Sequence, residues 1–287
     1  NGLLVCWFTG FGFSMSKSEH CVYTLLQVNF RLFVVVWVDD ILYFGQKLLV
    51  TEFKRAFSAR FSLDDKILMQ CFLGMENLQS PGKVQISQKS YILEVLKRFN
   101  MSDANPVSVP AEANTKLYKS GCPKDGSPES KEMSELHSLY RSLVGNLLYL
   151  AVVTRPDISF VVSNLSQFLT NPGKVHWLGA KRVLRYLKGS SDCSIIYVKV
   201  PESDFLISGY SDSDWATDLD DRRSVSGYCF GCSGGVVSWN SKKQQTVALS
   251  STEVEYLAMS SAAQELVFLM ALFCVLGFFL YCPSTLI

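Results

Sequence analysis

The stretch LFVVVWVDDILYF, residues 32–44, decides the fold of the N-terminal part of the chain. Its β-branched and aromatic residues form two runs, 32–38 and 41–44, on either side of Asp39 and Asp40. Short apolar runs that flank a tight turn are typical of two buried strands. We therefore predict a β-hairpin with two carboxylates at its tip.

Adjacent carboxylates repel each other, and each is costly to place beside apolar strands unless a cation compensates it. Mg²⁺ is suited to this role, because it binds hard oxygen ligands and keeps coordination positions open for phosphates. A solvated Asp-Asp turn without an ion is the alternative. The hairpin residues by themselves leave both interpretations open.

The composition excludes two classes of protein. The chain has 287 residues, of which 48% are hydrophobic and 18% charged, so intrinsic disorder is excluded. A net charge of +1 excludes a strongly basic, histone-like binder, and any nucleic-acid surface must be local. At roughly 150 residues per domain, the length suits one large or two ordinary domains.

The cysteines and the N-terminal residues indicate in which cellular compartment the chain would fold. Nine cysteines without repeated spacing argue against a disulfide framework and for a reduced compartment. Cys229 and Cys232 have zinc-knuckle spacing, but no second Cys/His pair is nearby in sequence, so we interpret them as strand residues. No signal-peptide pattern follows Asn1, and we expect the chain to be a fragment.

Residues 266–282, LVFLMALFCVLGFFLYC, carry no charge. A membrane span needs about 20 mostly apolar residues, with ~17 as the lower limit. The segment lacks the flanking Lys or Arg of an anchor, and Gly277 is placed where a helix would end and a strand begin. A membrane anchor and a buried helix followed by a buried strand both remain open.

Hydrophobic periodicity organises the rest of the chain. Strands are predicted at residues 205–212 and within 224–241, and a Gly-, Pro-, Ser- and charge-rich segment at 118–135 is predicted to be a linker. No repeat of solenoid type is present. Apolar residues at helical spacing predict helices at 49–60, 88–99, 139–150, 157–169, 174–188 and 250–272.

Residues 36–42, VWVDDIL, resemble the Tyr-x-Asp-Asp hairpin of reverse transcriptases, with Trp37 in the usual tyrosine position. Further strings, in order, resemble the pol polyprotein of copia-type LTR retrotransposons and extend over nearly the whole chain. They are FLGME (72–76), QISQ (85–88), YRSLVGNLLYL (140–150), TRPDI (154–158), AKRVLRYLKG (180–189), YSDSDWA (210–216) and SSTEVEY (250–256).

The resemblance implies an α+β fold in four parts. These are a reverse transcriptase palm and thumb fragment at 1–117, a linker at 118–135, an α-rich connection at 136–200, and a truncated ribonuclease H-like domain, a mixed sheet with a helix, at 201–287. It implies RNA-directed DNA polymerisation and cleavage of RNA in RNA/DNA hybrids by two-metal phosphoryl transfer. The implied cofactor is Mg²⁺ or Mn²⁺. The implied partners are an RNA template, a DNA primer and an RNA/DNA hybrid, in cytoplasmic virus-like particles or the nucleus.

The resemblance also implies site residues. Asp39 and Asp40 match the paired metal-binding aspartates of the polymerase, and Trp37 would lie near the primer terminus. Asp212 and Glu255 match the first aspartate and the helix glutamate of the ribonuclease H metal site.

Asp214 and Glu253 are the local alternatives to Asp212 and Glu255. Each lies two residues away, and Glu253 therefore points elsewhere on the helix than Glu255. We prefer Asp212 and Glu255, because they match the family pattern. Leu73 and Gly74 resemble the family's primer-grip hairpin, which holds the primer end. Without the resemblance, these two residues would simply form a strand-to-strand turn.

A cationic stripe is predicted on the helix at 174–188. Its members recur on one side of the helix, opposite an apolar side, and such a stripe can neutralise phosphates along a template-primer duplex. A solvated helix face is the alternative. The stripe comprises Lys181, Arg182, Arg185 and Lys188. Arg155 and Asp157, in contrast, are predicted to fix a helix start rather than to catalyse.

Two carboxylates of the family pattern have no match in the chain. The third palm aspartate would precede Asn1, and the next ribonuclease H aspartate would follow residues 283–287. We therefore expect little or no catalysis by this chain alone. A residual nucleic-acid-binding module and a vestigial membrane-associated product are the alternatives.

Overall fold

A computed structural model describes residues 2–27, 30–62, 64–66, 69–112, 117–124, 126–201, 205–278 and 285–286, the last two by their backbone. The described chain is mixed α+β, which confirms the predicted fold class. It divides into two compact units, Asn1–Phe72 with Ala263–Ser284 and Leu73–Ala262 with Thr285–Ile287. This division differs from the predicted boundaries at 117, 135 and 200, because the helices between residues 89 and 189 share one core.

The first unit is built on a four-stranded antiparallel sheet. The sheet has the strand order β1-β2-β3-β4, and Trp37 pairs with Asp40 at the end of the β3–β4 ladder. This confirms the predicted hairpin. The elements are α1 (Gly2–Phe11), β1 (Ser14–Met15), β2 (Val22–Gln27), β3 (Phe30–Trp37), β4 (Asp40–Gly45), α2 (Lys47–Ser58) and β5 (Cys71–Phe72).

Aromatic side chains form the core of the first unit. Phe8 of α1 is fully buried and stacks on Tyr23 of β2, with 4.5 Å between ring centroids. Phe53 and Phe57 of α2 pack against the same cluster. The apolar positions of α2 therefore cover one face of the sheet, as its helical spacing predicted.

The second unit begins with strands and continues with helices. β7 pairs antiparallel with both β6 and β8. The elements are β6 (Met75–Ser80), β7 (Lys83–Ser87), α3 (Lys89–Arg98), a 3-10 turn (Lys119–Gly121), α4 (Pro128–Val153), a second 3-10 turn (Pro156–Ile158), α5 (Ser159–Ser166), α6 (Lys174–Gly189) and β8 (Ile195–Val198).

The segment at 118–135 is less irregular than predicted, because α4 begins inside it. Ser127 is the N-cap: its hydroxyl accepts a hydrogen bond from the amide of Ser130 at 3.1 Å, and Pro128 occupies the first turn. The helix is therefore 26 residues long and starts eleven positions earlier than the predicted start at 139.

The C-terminal part of the second unit is a sheet with a helix between its last two strands. β9 (Ser208–Ser213), β10 (Val225–Cys232) and β11 (Gly235–Lys243) are antiparallel, and β12 (Thr285–Leu286) pairs parallel with β9. Helix α7 (Ser251–Val275) follows β11, and its residues 251–262 belong to this unit, whereas its residues 263–275 belong to the first. The strand order is β11-β10-β9-β12, so β9 lies inside the sheet.

The uncharged segment 266–282 begins inside α7. By length and composition this helix could cross a membrane, and 17% of its most apolar 18-residue window is buried. Leu269 is buried, whereas Val267 and Phe268 are exposed. The expectation of a buried helix is therefore wrong for the part of the segment within α7, and residues 279–282 lie outside the described residues.

Candidate functional site

The hairpin tip presents its polar residues to solvent. Val38 and Asp39 form the turn, and Val38 has a φ of 52° and is 81% exposed. Asp39 and Asp40 are both exposed. Trp37 is 51% exposed and shares a face of the sheet with Asp40, because directly paired residues of an antiparallel ladder point to the same side.

The donor chemistry of the tip suits a divalent cation. Carboxylate oxygens are the ligands that Mg²⁺ prefers, and the aspartate pair offers two such groups. Within the described part of the chain, no group of three or more His, Cys, Asp or Glu side chains could hold a metal ion. Asp39 and Asp40 thus fit a metal site in kind and supply part of its ligands.

Asp212 lies on β9, one of the two inner strands of the second unit's C-terminal sheet. Residues 208, 210 and 212 are exposed, whereas residues 209 and 213 are buried, as expected where alternate side chains point to opposite faces. The Asp212 carboxylate accepts a hydrogen bond from the neighbouring amide of Ser213 at 2.9 Å and otherwise faces solvent.

Asp214, the local alternative to Asp212, is engaged by the backbone. Its Oδ1 accepts a hydrogen bond from the amide of Val225 at 2.7 Å, and its Oδ2 accepts one from the hydroxyl of Thr217. The carboxylate therefore closes the loop between β9 and β10. This arrangement favours Asp212 over Asp214 as a metal ligand.

The two glutamates at the start of α7 differ in the same way. The amide of Glu253 donates to the Ser250 hydroxyl at 3.2 Å, and the Glu253 carboxylate accepts from the amide of Leu249 at 2.7 Å. Glu253 thus caps the helix. Glu255 is exposed beside Val254, which belongs to the buried side of α7. The assignment of Glu255 as a ligand stays a prediction.

The predicted primer-grip turn is held by a residue that the sequence analysis missed. Leu73 and Gly74 both have positive φ, 49° and 72°, and the Tyr149 hydroxyl of α4 donates a hydrogen bond to the Leu73 carbonyl. A Cβ at position 74 would lie 2.8 Å from that hydroxyl. Tyr149 is 76 residues from Leu73, so no local pattern could reveal the contact.

The cationic stripe of α6 is partly committed to contacts inside the chain. Arg182 forms an ion pair with Glu112 at 2.5 Å, and Arg185 donates from Nε to the carbonyl of Asn105 at 2.7 Å. Lys181 lies over the ring of Trp177, and Lys188 is half-buried. A fully solvated face is thus the wrong description, and the nucleic-acid role of the stripe stays a prediction.

Arg155, which is buried, and Asp157, which is partly exposed, form a structural cluster. Arg155 is 2% exposed, pairs with Asp157 at 2.7 Å and donates to the Ser190 carbonyl at 3.0 Å, and the Tyr186 hydroxyl donates to Asp157 at 2.7 Å. Burial raises the pKa of the Asp157 carboxyl, but the hydrogen bonds from Arg155 and Tyr186 outweigh burial and lower the pKa below its ordinary value. The cluster ties the end of α4 to the end of α6.

Cys229 and Cys232 lie in β10, which confirms their interpretation as strand residues. Burial raises the pKa of both thiols.

Comparison with known proteins agrees with this geometry. Residues 1–113 match the family described as Reverse transcriptase (RNA-dependent DNA polymerase). The Retrovirus-related Pol polyprotein from transposon TNT 1-94 of Nicotiana tabacum is 40% identical over 276 residues, which cover 93% of this chain and 20% of that protein. The corresponding polyprotein from transposon RE2 of Arabidopsis thaliana is 38% identical over 267 residues, 93% of this chain and 18% of that protein.

A shorter relative also matches. The Secreted RxLR effector protein 161 of Plasmopara viticola is 52% identical over 130 residues, which cover 45% of this chain and 90% of that protein. No solved structure matches the chain.

The aspartate-tipped hairpin and the family match place the first unit in the reverse transcriptase class. The chain belongs to the family of Pol polyproteins from copia-type retrotransposons. It spans about a fifth of the length of the curated Pol polyproteins that it matches.

Proposed function

We propose that the chain carries parts of two phosphoryl-transfer sites, one for RNA-directed DNA synthesis and one for cleavage of RNA in RNA/DNA hybrids. The observation that carries the proposal is the arrangement of β9, β10, β11, α7 and β12. Asp212 lies on an inner strand, and Glu255 lies on the helix that follows the three antiparallel strands. Ribonuclease H chemistry uses carboxylates on a central strand and the following helix.

For DNA synthesis, Asp39 and Asp40 would hold Mg²⁺ or Mn²⁺ at the hairpin tip. When bound, such ions stabilise the attacking and leaving oxygens of a phosphoryl transfer. Trp37, exposed on the face it shares with Asp40, would contact the primer terminus. The Leu73–Gly74 turn, braced by Tyr149, would support the primer through its backbone.

For RNA cleavage, Asp212 and Glu255 would hold the cation. Both carboxylates are exposed, whereas the neighbouring Asp214 and Glu253 are engaged by backbone amides. The substrate would be the RNA strand of an RNA/DNA hybrid. Its phosphates would be met by Lys181 and Lys188 of α6, the stripe members for which neither an ion pair nor a hydrogen bond is found among the described residues.

The isolated chain is expected to show little catalysis. Each proposed site has two candidate carboxylates among the described residues, and the family sites require a further one. The remaining ligands would come from other parts of a longer polyprotein. The family places such a polyprotein in cytoplasmic virus-like particles or in the nucleus.

Calorimetric titration of Mn²⁺ into the purified chain, with and without an RNA/DNA hybrid, tests this proposal. Asp39→Asn and Asp212→Asn are each expected to weaken metal binding, because each removes a charged oxygen ligand. Asp103→Asn, on an exposed loop, is the matched control and should bind like the parent chain. Identical binding by all four proteins would overturn the assignment of both aspartates.

Activity assays test the expectation of low catalysis. The chain is incubated with a primed RNA template, deoxynucleotides and Mg²⁺, and in parallel with a labelled hybrid. Primer extension that is lost in Asp39→Asn and Asp40→Asn would contradict the expectation, although it would support the assignment of the hairpin.

Membrane association through residues 266–282 is the second candidate. The exposed Val267, Phe268 and Met270 of α7 favour it. Against it, Leu269 is buried, and Gly277 approaches Leu26 within the first unit. Carbonate extraction of membranes from cells that express the chain tests this candidate. A chain that stays in the membrane pellet is anchored, and a chain that is released is not.

A further inference from the structure

The loop between β9 and β10, which begins just after Asp212, carries an exposed aromatic ring and an exposed cation. Trp215 is 55% exposed and Arg222 is exposed. Among the described residues, neither side chain has a ring contact or an ion pair. An exposed ring together with an unpaired guanidinium is the combination by which proteins hold a nucleic-acid strand, since every base has a face for stacking.

The loop holds these two side chains on a fixed backbone. Asp214 accepts the Val225 amide at 2.7 Å at one end, and the Ala216 amide donates to the Ser224 hydroxyl at 2.9 Å. Ala216 and Arg222 have φ values of 51° and 59°, each in the left-handed region that costs about 1 kcal/mol for a residue other than glycine. Such strain persists only where the surroundings enforce the conformation, and it concentrates at functional sites.

The acidic residues of the loop form hydrogen bonds and ion pairs within the chain. Asp218 and Asp221 both pair with Lys243, the latter at 2.9 Å. Asp220 accepts the amide of Lys119 at 2.7 Å. Asp218 and Asp221 are thus occupied by Lys243, and Arg222 is the exposed cation of the loop for which no ion pair is found among the described residues.

The loop is close enough to Asp212 to touch the same substrate strand. Trp215 lies three positions after Asp212, so their Cα atoms lie within about 11 Å of each other. Successive nucleotides of a strand rise about 3.4 Å along a duplex. The indole can therefore reach the first few nucleotides from a phosphate held at Asp212.

We propose that Trp215 and Arg222 grip the RNA strand of a hybrid beside Asp212. Trp215 stacks on a base or sugar, and Arg222 pairs with a phosphate, so that the strand is held in register with the carboxylate. Both are positioning residues for the substrate rather than metal ligands. The inference rests on the proposed ribonuclease H-like function.

Binding of a fluorescein-labelled RNA/DNA hybrid to the 287-residue chain, followed by anisotropy over a series of salt concentrations, tests the proposal. Trp215→Ala is expected to weaken affinity about tenfold and leave the salt slope unchanged, because stacking involves no counterion. Trp215→Phe should recover most of the affinity. Arg222→Gln should reduce the salt slope by about 0.9, the value for one phosphate contact.

Arg141→Gln is the matched control, since Arg141 is an exposed arginine of α4 in the same unit. Its affinity and salt slope should equal those of the parent chain. Circular dichroism verifies that each variant is folded. If Trp215→Ala does not fold, quenching of tryptophan fluorescence by the hybrid carries the test, and the quench should be smaller in Trp215→Phe than in the parent chain.

The outcomes distinguish a failure of the proposed grip by Trp215 and Arg222 from a failure of the proposed function. Hybrid binding that is unchanged in Trp215→Ala and Arg222→Gln overturns this inference and leaves the proposed function standing. Unchanged quenching in Trp215→Phe has the same meaning. A parent chain that binds no hybrid at all overturns the proposed function and this inference together.

Discussion

The indole N–H of Trp239, on β11, donates a hydrogen bond of 2.7 Å to the carbonyl oxygen of Ala151, in the last turn of α4. The two residues are 88 positions apart. Carbonyls in the last turn of a helix have no partner within the helix, so this bond satisfies one of them. It joins the sheet that carries Asp212 to the helical layer within the second unit.

Replacing Trp239 with Phe removes that hydrogen bond and keeps an aromatic ring. We expect the free energy of unfolding to fall by about 1 kcal/mol, because the Ala151 carbonyl then lacks this donor. Urea denaturation measures the change. Trp215→Phe, whose exposed ring makes no such bond, should stay within about 0.5 kcal/mol of the parent chain, and equal losses in both variants would contradict the prediction.

The Arg155–Asp157 pair predicts a pH dependence of stability. Burial raises the pKa of Asp157, but the hydrogen bonds from Arg155 and Tyr186 outweigh burial and bring the pKa below its ordinary value. The contribution is therefore complete above about pH 3.9, the ordinary pKa of aspartate, and is lost as pH falls through the lower folded-state pKa.

Asp157→Asn should abolish this dependence and cost about 2 kcal/mol at pH 7, a figure reduced from that of fully buried pairs because the Asp157 side chain is 35% exposed. Thermal unfolding between pH 7 and pH 3 measures both effects. A variant whose melting temperature falls with acid as steeply as that of the parent chain would show that another carboxylate is responsible.

Val38 at the hairpin tip is expected to store backbone strain. It is β-branched, has a φ of 52°, and is 81% exposed, so its side chain contributes little packing. Val38→Asn should raise stability by about 1 kcal/mol, because asparagine tolerates the left-handed region. Val36→Asn, on the strand before the turn, is the contrasting substitution and should lower stability.

Stability measurements separate Glu253 from Glu255. Glu253→Ala removes the acceptor of the Leu249 amide and is expected to cost about 1 kcal/mol, as a lost helix cap does. Glu255→Ala, at an exposed position one turn into the helix, should change stability by less than about 0.5 kcal/mol. Glu255→Ala should instead weaken metal binding. Equal costs would contradict the division of roles.

Two glycines of the second unit should respond oppositely to alanine. A Cβ at Gly173 would lie 1.7 Å from the carbonyl oxygen of Gly121, a backbone atom that cannot turn aside, so Gly173→Ala should destabilise strongly. A Cβ at Gly145, inside α4, meets no atom within 4 Å. Gly145→Ala should therefore add about 1 kcal/mol through helix propensity. Melting temperatures of the two variants test the contrast.

The elements with a clear hydrophobic period could be predicted from the sequence. The hairpin around Asp39 and Asp40 and the helices α2, α3 and α6 lie where the apolar spacing placed them. The early start of α4 was missed, because Met133 is the only buried residue of its first turns and provides no period to detect. Local capping by Ser127 and Pro128 decides that start.

Part of the candidate site was also within reach of the sequence. The family strings single out Asp39, Asp40, Asp212 and Glu255, because metal-binding carboxylates occur at fixed places within short motifs. The family motif gave a preference for Asp212 over Asp214. The hydrogen bond between Asp214 and the Val225 amide supplies the physical reason, since it commits the competing carboxylate to the loop.

The sequence by itself therefore determined the chain's class, the secondary-structure elements with a clear hydrophobic period, and the identity of the candidate ligands, because these depend on local periodicity and short motifs. Only the tertiary structure decided which charged and polar groups remain available. Arg182 pairs with Glu112 across 70 positions, and Tyr149 braces Leu73 across 76. Such contacts depend on how elements that are distant in sequence pack together. Local sequence patterns carry no information about that packing.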